Sequence, residues 1–151
     1  MKHHLESTKK QFIGRTLVDI TRLDDDKVMI ILEDSPGRLL KTHCRLSVYG
    51  DCCSSSIFYE IVMPGNIKGG IIEDLWEGKN EKYEKYSIMP ADVDSEEAAL
   101  AKIKKYGFKF SGDDQNSIWN VTFKTNKGNA FIRHINSSNG YYDGDSVYEW
   151  Q

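Results

Sequence analysis

Short runs of β-branched and apolar residues, cut by clusters of Asp, Pro, Gly and Ser, recur through most of this chain. Residues 12–23 carry Ile13, Leu17, Val18 and Ile20 and read as a first strand. Asp24, Asp25, Asp26 and Lys27 form a polar turn, because Asp bonds its own backbone and tolerates tight conformations. The apolar run Val28, Met29, Ile30, Ile31, Leu32 reads as a buried strand. Ser35, Pro36 and Gly37 make the next turn, and residues 39–49 a third strand with Leu40, Thr42, Cys44, Leu46 and Val48 on one face. These three strands predict an antiparallel meander.

After residues 50–56, which are small and polar, residues 56–62 are too short for periodicity to separate helix from strand. Residues 71–76 read as a strand, and residues 77–94 as a charged surface excursion. The pattern predicts a helix over 95–106, rich in Ala and Leu, with acids at its start, lysines at its end and Gly107 as its stop. Residues 117–125 alternate cleanly, with Trp119, Val121 and Phe123 facing one way. Asn126, Lys127 and Gly128 form a hairpin turn, and residues 130–135 return beside that strand. Residues 136–140 read as a loop and residues 147–150 as a final edge strand. The expected fold is therefore α+β: mainly antiparallel sheet in meanders and hairpins, with the helix at 95–106 and a possible short helix near 55–62.

Length narrows this to a single domain over residues 1–151, with residues 1–10 as a flexible tail. The formal charge of −3 and pI of 5.8 disfavour a nucleic-acid binder, which usually presents a basic face. No apolar run approaches the ~20 residues that cross a bilayer. The first ten residues hold no signal-peptide core, so the expected compartment is the cytoplasm. Three cysteines, an odd number, suit a reducing environment.

Four groups of residues have candidate chemistry. Cys52 or Cys53 with His134 or His43 would make a nucleophile and base, although no protease or transferase motif surrounds them. His43, Cys44, Cys52 and Cys53 lack the paired spacing of a zinc site, because neighbours on a strand point to opposite faces, and no metal is expected. Asp24, Asp25 and Asp26 lack the alternation, Gly and distal Glu of a calcium loop. The richest stretch is residues 133–144, which joins Arg133, Asn136, Asn139, Tyr141 and Tyr142. Tyr stacks, Asn reads hydrogen-bond edges and Arg holds phosphate, which suits a flat polar ligand. Asp51, Ser54 and Ser56 supply a facing wall whose backbone N–H groups suit an anion.

The elements Gly50-Asp51-Cys52-Cys53-Ser54, Gly69-Gly70 and the run from Asn136 to Gly144 resemble, as a set, a small family of bacteriophage and prophage proteins. That family shares a GDCCS element, a closing NSSNGYY-G element and an early LEDG-like hairpin. The hairpin stands here as Leu32-Glu33-Asp34-Ser35, with Ser35 in place of Gly. Residues 77–106 look like an insertion relative to shorter members. No common activity is assigned to the family, so the resemblance implies a phage setting in the host cytoplasm.

The expected function is thus a non-enzymatic, cofactor-free binding protein that counteracts host defence. It would sequester a nucleotide-like signalling molecule or bind a host protein, and it suits a homo-oligomer. The rival readings are a cysteine-dependent hydrolase or transferase and a nucleic-acid-binding module.

Overall fold

The computed structural model describes residues 2–3, 5–34, 41–50, 54–80, 115–138 and 144–151. It is mostly antiparallel sheet with one short helix among the described residues, so the chain is largely β and not a balanced α+β fold. The strands are β1 (Lys2–His3), β2 (Thr16–Asp24), β3 (Lys27–Glu33), β4 (Lys41–Gly50), β5 (Ser54–Val62), β6 (Gly70–Asn80), β7 (Gln115–Thr125), β8 (Gly128–Ser138) and β9 (Gly144–Trp150). Helix α1 (Leu5–Phe12) precedes β2. In space the strands run β1-β9-β4-β3-β2-β6-β7-β8-β5.

Two meanders make up this order. The first, β2-β3-β4, is the one the hydrophobic runs predict, with the turn at Asp25 and Asp26. Its inward row alternates cleanly: Val28, Ile30 and Leu32 on β3, then Cys44, Leu46 and Val48 on β4, are all buried. The second is β6-β7-β8, closed by the predicted turn at residues 126–128. There Thr125 Oγ1 accepts from Lys127 N and donates to the Gly128 carbonyl, and Gly128 adopts φ +126°, which side-chain-bearing residues rarely do.

The meanders join at one corner, where β2 and β6 pair only through Thr16 with Ile71 and Leu17 with Gly70. Gly70 is required at that corner: a Cβ there would lie 2.5 Å from Thr125 Oγ1. Beyond the corner the halves fold over each other, and one apolar cluster fills the space between them. Leu17, Ile30, Leu46 and Tyr148 from one half meet Leu75, Val121, Phe123 and Ile132 from the other. The β2–β3 turn reaches back across: the Asp25 carbonyl accepts from Phe58 N on β5 at 2.7 Å. The result is a half-open barrel.

Helix α1 plugs one end. Phe12 has no exposed surface and sits edge-on to Phe123 and Tyr148, with its ring centre 4.8 Å from that of Trp150. The Trp150 indole N–H donates to Thr8 Oγ1 at 2.7 Å, and Lys9 pairs with Asp74 on β6. The Lys9 hydrogen bond holds the Asp74 carboxyl below the usual carboxylate range.

Several expectations are corrected here. The first ten residues, expected as a tail, carry β1 and most of α1. Residue 12, expected in a strand, ends α1. The candidate helix near 55–62 is strand β5, paired with β8 from Ser54 to Val62. Neighbouring strands satisfy its backbone, which outweighs local preference in so short a segment. Residues 77–80, expected in the surface excursion, continue β6. Residues 136–138, expected as a loop, continue β8, where pairing with both β5 and β7 satisfies their backbone. The helix expected at 95–106 lies outside the described residues.

Candidate functional site

The interior changes character along the strands. Alternation carries each inward row past its last apolar residue to a polar or aromatic one. On β6 the inward position after Leu75 is Glu77, and on β8 those after Ile132 are His134 and Asn136. Trp119 precedes Val121 on β7, Ser56 precedes Phe58 on β5, and Ser146 precedes Tyr148 on β9. These six side chains gather at the end of the barrel opposite α1.

Glu77 is their centre. Ser146 Oγ lies 3.0 Å from both carboxylate oxygens and donates to them, which links β9 of one half to β6 of the other. His134 Nε2 lies 3.0 Å from Glu77 Oε1. With Glu77 as its acceptor Nε2 carries the proton, which leaves Nδ1 of a neutral imidazole as an acceptor. The His134 ring stacks on Trp119, its cross-strand partner, at an interplanar angle of 4°, and meets Phe58 edge-on. Asn136 Nδ2 donates to Ser56 Oγ at 2.8 Å, and Ser56 Oγ donates to the Tyr49 carbonyl.

Here His134 Nδ1 and Tyr148 Oη are buried and make no hydrogen bond among the described residues. Burial, then the charge of Glu77, push the Tyr148 hydroxyl well above its ordinary range, so it stays protonated. An orphaned buried polar group costs about 1–3 kcal/mol. The side chain of Glu77 keeps 14% exposure and Trp119 is half-buried, so these two meet solvent at this end.

Of the residues expected from sequence to bind ligand, Ser56 and Asn136 meet in this cluster. Ser54 pairs with Ser138 at the strand ends, directly where residues 51–53 and 139–143 leave β5 and β8. Asp51, Asn139, Tyr141 and Tyr142 lie outside the described residues, as do Cys52 and Cys53. Arg133 is not with Asn136. The two are three apart on a strand and face opposite ways, and Arg133 is buried on the outer face against Glu60 and Asn120 Oδ1.

His134, offered as a base for a cysteine, is engaged by Glu77. In the arrangement Ser146–Glu77–His134 the carboxylate sits between serine and histidine, so the imidazole is not bonded to the hydroxyl as a serine nucleophile requires. Cys44 is buried, and burial pushes its thiol up to about 12. His43 is exposed while Cys44 is buried, which separates two of the residues weighed as metal ligands. Among the described residues no three His, Cys, Asp or Glu side chains form a metal-binding group, and no helix is long and apolar enough to cross a membrane.

Sequence reasoning missed Glu77, Trp119 and Ser146. Glu77 opens an acidic stretch and resembles its solvated neighbours; only its step of two from Leu75 would have marked it as inward.

No protein-family model, curated protein or solved structure matches the chain. The class of protein is thus defined by its own geometry: a half-open antiparallel barrel, plugged by a helix at one end and polar at the other.

Proposed function

We propose that this chain is a non-enzymatic binding protein of phage type that captures a nucleotide-like small molecule at the polar end of its barrel, and so counteracts a host defence signal. The observation that carries the reading is the Glu77–His134–Ser146 cluster between the two halves, in which His134 Nδ1 is buried and makes no hydrogen bond among the described residues. A purely structural interior would favour apolar residues there, since burying charge is expensive. The roots of the two polar stretches, joined by the Ser56–Asn136 bond, border the same end and supply hydrogen-bonding edges for a polar ligand. The resemblance to phage proteins supports the setting.

Native mass spectrometry tests this directly. Protein incubated with the nucleotide fraction of infected bacteria is expected to carry an added mass of a few hundred daltons per site, lost on denaturation. Retention of the bare chain mass, with recovery of a host protein in a pull-down, would replace small-molecule capture by protein binding.

A further inference from the structure

Resting on that reading, we infer that Glu77 and His134 receive the base of the ligand, and that they select bases bearing an exocyclic amino group. Glu77 has two bonded partners, the Ser146 hydroxyl and the His134 imidazole, and among the described residues no lysine or arginine bonds it. An ionised carboxylate offers about four lone-pair sites, so acceptor capacity remains after those bonds. In the tautomer that donates from Nε2 to Glu77, His134 Nδ1 is a second acceptor, and among the described residues it has no partner. The polar end therefore presents acceptors and a negative charge.

A phosphate placed here would face Glu77, which no lysine or arginine among the described residues neutralises, and would be repelled. The part of a nucleotide that carries N–H donors is its base. The aromatic wall agrees: the half-buried Trp119 lies against the His134 ring, and a flat base packs on such a surface. An amino group supplies two N–H donors, and these can meet the remaining lone pairs of the Glu77 carboxylate. A base whose corresponding edge is a carbonyl would set oxygen against carboxylate.

The test is equilibrium binding of AMP, GMP and CMP against IMP and UMP, by calorimetry, to wild-type protein and to Glu77→Gln. The amino-bearing nucleotides are expected to bind at least about tenfold tighter than IMP and UMP, because one hydrogen bond to a charged group is worth that much or more. Glu77→Gln is expected to erase this preference while its thermal unfolding stays cooperative. Equal affinity across the five, or a preference that survives in Glu77→Gln, overturns the base assignment and leaves nucleotide capture standing. Binding of none of the five overturns both. The wild-type comparison needs no variant, so it holds even if Glu77→Gln fails to fold.

Discussion

Replacing Glu77 alone is expected to cost stability, whereas replacing Glu77, His134 and Ser146 together is not. Glu77→Met leaves the buried His134 Nε2 without its acceptor and the Ser146 hydroxyl without its carboxylate. A buried group left unsatisfied costs about 1–3 kcal/mol, so the single variant should lose at least about 1–3 kcal/mol through the His134 N–H alone. The triple variant Glu77→Met, His134→Leu, Ser146→Ala removes all three polar groups at once and extends the apolar interior of Leu75, Val121 and Ile132. Exchange of a buried ionic group for packed apolar side chains is often neutral or stabilising by about 1–4 kcal/mol. The triple variant should therefore match or exceed wild type while losing ligand binding, the trade expected of residues kept for function. Urea unfolding followed by tryptophan fluorescence measures both variants, with constant m-values as the check on two-state behaviour. A triple variant less stable than the single one would refute the reasoning and make the cluster part of the framework.

Gly70→Ala should destabilise by about 1–3 kcal/mol, because its Cβ would meet Thr125 Oγ1 at 2.5 Å at the corner joining the meanders; thermal unfolding reads this. In a Cys52→Ser, Cys53→Ser background, Cys44 should resist iodoacetamide at neutral pH and react only on unfolding, since its thiol titrates near 12 and is buried. The Lys9–Asp74 pair should contribute stability above the unfolded carboxyl value near 4 and lose it as pH falls through the lower folded value. Both side chains are about a third or more exposed, so Lys9→Met should cost no more than about 1 kcal/mol at pH 7 and nothing near pH 2, by urea titration.

The β2-β3-β4 meander and the β7–β8 hairpin were legible because local signals there agree with tertiary demand. Asp25 and Asp26 make a turn, Asn126 to Gly128 make another, and the intervening runs alternate or are wholly apolar. Strand β5 was not legible. Its small polar start, Ser54 to Ser56, holds no preference of its own and takes its form from pairing with β8. Helix α1 was hidden because its eight residues are mostly polar and it is anchored through Phe12 and Thr8, positions without a visible pattern. The site was half legible. Asn136, Ser56 and His134 were visible as single residues, whereas Glu77 and Ser146 lie on two other strands distant in sequence and meet His134 only once the sheet folds over.

The central claim is that the polar end of the barrel captures a nucleotide. The most direct measurement is a titration of ¹⁵N-labelled protein with AMP, followed at the tryptophan indoles and the His134 ring. Trp119 stacks on His134 at the polar end, whereas Trp150 is held by Thr8 and Phe12 at the plugged end, so the protein carries its own control. The expected result is a saturable shift of the Trp119 indole and of His134 Nδ1, with Trp150 unmoved. Saturating AMP that leaves Trp119 and His134 unshifted, or that moves only Trp150, would contradict the account.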